Sequence, residues 1–210
     1  MNKNALIILV KNPTLGYVKT RLAAEIGDEE ALLVYKTLLK YTRFITKDIQ
    51  CSRLLFYSDY IDSNDGWKNE TYIKFLQKGN DFGERMCNAF QVALIQHKSA
   101  VIIGSDCFEL TSEIIKYAFI MLEEYDVVIG PAKDGGYYLM GLKEIYPELF
   151  LDKNWSTTSV LSDTLKDLNH LDLRVFFLPV LSDIDNLDDL KNSNLIDRFN
   201  LELLKKKVFQ

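Results

Sequence analysis

Short unbroken apolar runs alternate along the chain with segments of helical spacing, a pattern that predicts an α/β fold. Residues 5–10 are all apolar and end at Lys11-Asn12-Pro13, as expected of a strand buried on both faces. From Asp28 the period changes. Ala31, Val34, Tyr35, Leu38, Thr42 and Ile45 recur at spacings of three and four, which predicts an amphipathic helix N-capped by Asp28. Strands are predicted at 53–57 and 72–76, on either side of the turn-rich stretch 62–66. Helical spacing resumes over 82–97 through Met86, Ala89, Phe90, Ala93 and Leu94. Strand 101–103, helix 113–124 and strand 126–129 follow, so the order implies a mostly parallel central sheet with helices on both faces. The last third predicts strand 137–142, helix 159–168, strand 175–178 and a helical stretch 187–204 with at most one break.

Length and composition narrow this picture. With 210 residues, 48% of them hydrophobic, the chain suits one substantial core, and residues 1–210 are expected to form one domain. Lys and Arg number 25 against 30 Asp and Glu, a net charge of −5 that argues against a nucleic-acid or anionic-membrane binder. Any phosphate site must be a local basic patch. The longest apolar runs, such as 5–10 and 117–122, fall far short of the roughly 20 residues of a membrane helix, so no integral membrane segment is expected. Lys11 also ends the first run before any signal-type cleavage site, and the expected location is the cytoplasm. Cys51, Cys87 and Cys107 are far apart and are expected to be small buried hydrophobes; His97 and His170 form no zinc or triad motif. A metal would therefore be held by carboxylates, which points to Mg²⁺ or Mn²⁺.

In an open parallel sheet the ligand crevice lies beyond the carboxyl ends of the strands, and four loops there carry unusual content. After the first strand, Lys11, Lys19 and Arg21 cluster around Pro13 and Gly16. Three cations with free backbone N–H groups suit a polyphosphate, with an ordinary cationic surface loop as the plain alternative. Lys19 and Arg21 would share a face in an extended segment. Neither a P-loop nor a G-x-G-x-x-G is present. After strand 101–103, Gly104-Ser105-Asp106-Cys107 offers a carboxylate for a divalent ion, or for a local turn. Residues 182–190 contain Asp183, Asp185, Asp188 and Asp189; Asp185 can N-cap the next helix or act with Asp106 as a second metal ligand. Asp134-Gly135-Gly136-Tyr137 reads either as a hairpin turn or as a loop that brings its backbone close to a ligand. Around Asp81-Phe82-Gly83-Glu84-Arg85, helix capping competes with a glycine placed against a nucleobase.

Taken in order, six segments resemble the bacterial family with a glycosyltransferase-A-like domain labelled radical-SAM/selenodomain-associated transferases. They are residues 11–22, 81–86, 104–108, 134–142, 155–157 and 183–190, including Trp155 and Thr157. Phe108 stands where the family pattern has proline, and Asn80 where it has the first glycine of G-D-x-G. The resemblance implies a nucleotide-diphospho-sugar transferase fold of glycosyltransferase-A type. It implies that Lys11, Gly16, Lys19, Arg21, Gly83 and Arg85 meet the nucleotide. Asp106 and Asp185 would hold Mg²⁺ or Mn²⁺, and Asp134, Gly135, Gly136, Tyr137, Trp155 and Thr157 would face the sugar or a small-molecule acceptor. Asp106, Lys19 and Asp134 are the expected catalytic groups, Asp134 as the candidate general base. The Lys19-Thr20-Arg21-Leu22 segment is also similar to phospholactate guanylyltransferases, which implies nucleotidyl transfer with release of pyrophosphate as the alternative. A nucleotide-binding protein without turnover is the third expectation.

Overall fold

The computed structural model describes residues 3–208. Its centre is a seven-stranded sheet: β1 (Asn4–Val10), β2 (Ser52–Tyr57), β3 (Ile73–Leu76), β4 (Ser99–Ile103), β5 (Val127–Pro131), β6 (Tyr137–Leu142) and β7 (Val175–Phe177). The spatial order is β3-β2-β1-β4-β6-β5-β7. Every pairing is parallel except the two made by β6, which runs antiparallel to both β4 and β5. This is the mostly parallel α/β architecture that the alternation predicts.

Side chains alternate across the sheet because successive residues of a strand point to opposite faces. Leu6, Ile8 and Val10 enter one core, with Leu55, Val101, Ile103 and Val128. Against that face pack α1 (Thr20–Ile26), α2 (Asp28–Thr46) and α4 (Ser112–Glu124), with α6 (Leu187–Asn192), α7 (Leu195–Arg198) and α8 (Glu202–Val208). Ala5, Ile7 and Leu9 enter the other core beneath α3 (Phe82–Leu94) and α5 (Val160–His170). Burial of each Leu or Ile contributes about 1.5–3 kcal/mol relative to exposure, so the six buried residues of β1 anchor both layers.

Four sequence expectations change. The segment after β1 contains α1, a two-turn helix hidden within a stretch whose Pro, Gly and cations read as loop. Asp28 is the first helical residue of α2, and the cap position belongs to Gly27. Gly27 ends α1 and begins α2 with φ +98°, a conformation open to glycine and strained for other residues. The stretch 187–204 is divided by two breaks: Ser193 leaves helical geometry after α6, and Asn200 at φ +51° separates α7 from α8. In addition, α3 stops at Leu94, short of His97.

Replacing Gly27 with alanine should cost about 1–2 kcal/mol through the positive φ, read as a lower urea midpoint with the slope unchanged.

Candidate functional site

All four loops singled out above emerge at one edge of the sheet. Those after β1 and β4 lie there because both strands are parallel, and the segment after β7 because β7 runs parallel to β5. The β5–β6 connection joins them because β6 is antiparallel and returns from that edge. Backbone hydrogen bonds tie the loops together: Ile184 N donates to Asp106 O (3.1 Å), and Lys133 N to Leu181 O (3.0 Å). Tyr35 of α2 links two more, since its hydroxyl donates to Lys11 O, accepts from Lys11 N and lies 3.4 Å from Ser105 Oγ. The helical spacing marked Tyr35 as core, and its polar tip is where the site is braced.

At the centre lies the ammonium of Lys19. Its Nζ is 2.7 Å from Asp106 Oδ1 and 2.9 Å from Asp185 Oδ1, and the Lys19 side chain is only 5% exposed. Burial alone would lower its pKa, but the two carboxylates outweigh it and raise the pKa well above the usual lysine value. Burial likewise favours neutral Asp185, yet Lys19, with Arg21 and Lys11 further off, holds that carboxyl below its ordinary value. Lys19 sits at the cap of α1 in left-handed geometry (φ 50°, ψ 44°). Lys19 and Arg21 therefore do not share a face of an extended segment. Lys19 points inward, while Lys11 and Arg21 are exposed and form no ion pair among the described residues. Gly16 lies on the exposed turn between them.

Asp185 is not a helix cap. Asn186 caps α6 in a reciprocal box with Asp189, leaving the Asp185 carboxylate to Lys19. Asp183, one of several acids in the sequence stretch, has a more distinctive setting. It lines the same cavity as Asp106 and Asp134. Burial, then Asp106, and more weakly Asp185 and Asp134 push its pKa up to about 7, with Lys19 opposing. Four acids in nine residues gave no sign of which one would be buried beside the others.

The cavity has a volume of about 250 Å³ and is lined by Asp106, Asp134, Gly136, Tyr137, Trp155 and Thr157, among others. Its aromatic wall is built by Phe82 of α3 and Trp155, with rings edge to face at 5.5 Å, and by Tyr137 at 6.4 Å from Trp155. Asp134 Oδ1 accepts from Gly136 N (2.9 Å), so this loop forms the predicted turn, with Asp134 and Gly136 on the cavity lining. Gly135, at φ +90°, packs so closely that a Cβ would lie 2.2 Å from Thr158 O. Gly83 is covered by protein: a Cβ there would meet Phe150 O at 2.2 Å and Trp155 Nε1 at 2.4 Å. It supports the wall from behind. Arg85 donates from Nε to Gly79 O (3.2 Å), bracing the turn before α3.

Among the described residues no group of three His, Cys, Asp or Glu side chains forms a ready-made metal cage. Two carboxylates are nevertheless the usual protein share of a Mg²⁺ site completed by substrate phosphates. Asp106 Oδ1 is buried without a hydrogen-bond donor in proper geometry, its contact with Lys19 being an ion pair alone. Its side chain is still 43% exposed, so the other oxygen faces outward. This donor set fits a divalent ion. Cys107, whose thiol burial pushes far up, is no nucleophile.

Two variants report on this geometry. The Asp183 carboxyl binds its proton more tightly folded than unfolded, so its stabilising contribution is present below about pH 4 and lost as pH rises through about 7. In metal-free buffer, Asp183→Asn should match the parent melting temperature near pH 4 and exceed it at pH 8. Gly83→Ala forces Trp155 aside and should lower stability by about 1–3 kcal/mol, with a change in tryptophan fluorescence.

The site can now be compared with known proteins. A Desulfovibrio desulfuricans protein, provisionally described as a nucleotide-diphospho-sugar transferase, is 29% identical and superposes with a TM-score of 0.83 over 90% of this chain and 85% of its own. The 4-diphosphocytidyl-2C-methyl-D-erythritol synthase of Anaerococcus prevotii shares the fold at 11% identity and TM-score 0.58, over 94% and 96% of the two chains. A Mycobacterium tuberculosis protein solved in complex with manganese does so at 12% identity and TM-score 0.52, over 93% and 98%. No curated protein matches the sequence. Residues 42–157, more than half of the chain, match a family described as uncharacterized proteins conserved in bacteria; they include Asp106, Asp134 and the aromatic wall, and the chain belongs to that family, DUF2064.

Proposed function

We propose that this protein is a metal-dependent transferase that takes a nucleotide-diphospho-sugar and moves its sugar to a small-molecule acceptor. The observation that carries the reading is the cation-bridged pair Asp106 and Asp185 at the carboxyl edge of the sheet, beside an aromatic-walled cavity. The 29% identical Desulfovibrio protein, provisionally a nucleotide-diphospho-sugar transferase, supports the same reading.

In this reading Lys11 and Arg21 meet the diphosphate from the solvent side, and Lys19 adds charge from below. Asp106 and Asp185 would hold Mg²⁺ or Mn²⁺, which supplies charge neutralisation on phosphate oxygens. Trp155, Phe82 and Tyr137 offer an apolar face to the sugar ring and exclude water around it. An acceptor hydroxyl oxygen forms a bond to the anomeric carbon as the bond to the diphosphate oxygen breaks. The electron pair leaves with the nucleoside diphosphate. Asp134 has one oxygen engaged by Gly136 N and the other available to take the hydroxyl proton.

Nucleotidyl transfer is the second reading, favoured by the exposed cations Lys11 and Arg21, which suit a triphosphate equally well. There a phosphorylated substrate attacks the α-phosphorus and pyrophosphate leaves.

A thermal-shift screen of nucleotide sugars and nucleoside triphosphates, with and without Mn²⁺, separates the readings by mass action. Sugar transfer predicts stabilisation by a nucleotide sugar with Mn²⁺ and nucleoside diphosphate as product. Preference for a triphosphate with pyrophosphate as product selects the second reading, and no shift with any ligand, from folded protein, selects an inactive scaffold. Asp106→Asn and Asp185→Asn should each weaken Mn²⁺-dependent nucleotide affinity by more than about tenfold; unchanged affinity sinks the metal assignment.

A further inference from the structure

The position of Lys19 has a consequence for the order in which ligands bind. Its Nζ lies between Asp106 Oδ1 and Asp185 Oδ1, at 2.7 and 2.9 Å. A divalent cation held by these two Oδ1 atoms needs each within about 2.0–2.6 Å, so in that position it would displace the ammonium. Two cations cannot share that place at low exposure without strong repulsion. We infer that Lys19 is an exchangeable internal cation: it occupies the divalent-ion position in the ligand-free protein and leaves it for the diphosphate of the substrate. The inference rests on the metal-dependent reading above and adds that metal and nucleotide binding are coupled through one side chain.

The local structure allows the exchange. The Lys19 backbone is anchored as the cap of α1, its carbonyl accepting from Ala23 N at 2.7 Å, so the aminobutyl stem alone need turn. A free metal ion arriving first must break both ion pairs and leave the ammonium buried without a partner, a costly state. A diphosphate drawn in by Lys11 and Arg21 offers Lys19 new anionic oxygens, and the two carboxylates become available together. The protein therefore binds metal weakly alone and tightly with nucleotide, and coupling of this kind is reciprocal.

The test is binding of Mn²⁺ alone to the full chain, followed by electron paramagnetic resonance of the free ion. Lys19→Met should bind Mn²⁺ on the order of tenfold or more tighter than the parent. Lys19→Arg, which keeps the charge, should bind no tighter. Lys11→Met removes a nearby charge without clearing the position and should change the affinity less than about threefold. In metal-free buffer, inorganic pyrophosphate should stabilise the parent protein and stabilise Lys19→Met less. Equal Mn²⁺ affinity in the parent and Lys19→Met, abolished by Asp106→Asn, overturns the exchange while the metal site stands. Mn²⁺ binding that is absent from both, or indifferent to Asp106→Asn and Asp185→Asn, overturns the metal reading and the exchange with it. Should Lys19→Met be unfolded without metal, Mn²⁺ must restore its circular dichroism, and failure to do so counts against the exchange.

Discussion

The contact of Lys19 with Asp106 and Asp185 joins segments that are 79 or more residues apart in the chain, and the arrangement of the site depends on it. Removing one partner would leave a charge in a place where desolvation is expensive, so the three groups are mutually obligatory. That constraint accounts for the left-handed backbone at Lys19, a conformation costing a non-glycine residue about 1–2 kcal/mol. It also accounts for the division of labour at the start of α6, where Asn186 and Asp189 satisfy the helix end and release Asp185. Asp183 has no such counter-ion of its own, and its raised pKa follows.

The architecture was legible because helical repeats and short unbroken apolar runs are different patterns, and the central strands show the second. β1, β2, β4, β5 and β6 were visible as apolar runs, and α2, α3 and α4 as amphipathic repeats. The antiparallel direction of β6 was not visible, since its pairings depend on partners far along the chain. Helix α1 was hidden because seven residues are too short to show a helical period and follow a segment rich in loop formers. The breaks after α6 and α7 depend on Ser193 and Asn200, residues whose local hydrogen bonding competes with helix only weakly in sequence terms.

Within the site, residue types were easier to read than partners. Asp106, Asp134 and Trp155 sit immediately beyond strand ends or next to a turn, and topology alone brings them to one cavity. Whether a cation points outward to solvent or inward to a carboxylate is a tertiary fact, and on this point Lys19 differs from Lys11 and Arg21 although all three lie close together in the chain. Gly83 shows the same limit. A glycine opening a helix can mean close approach by a ligand or by protein, and here the approach is made by Phe150 and Trp155.

The single antiparallel strand gives the site its two-sided character. Were β6 parallel, the connection after β5 would have to cross the sheet, and Tyr137 would begin from the opposite edge. Running antiparallel, β6 turns back at the same edge, so Asp134 and Tyr137 line one cavity with Asp106 and Asp183. The parallel bridge of Ala132 with Leu181 then holds the β5–β6 connection against the segment carrying Asp183 and Asp185. The cavity thus combines Asp106, Asp134 and Asp183 with Phe82, Tyr137 and Trp155, while Lys11 and Arg21 are exposed outside its lining. In the proposed reading, a ligand with a diphosphate at one end and a ring at the other would engage both the exposed cations and the aromatic wall, whereas a bare phosphate or a bare sugar would engage only one.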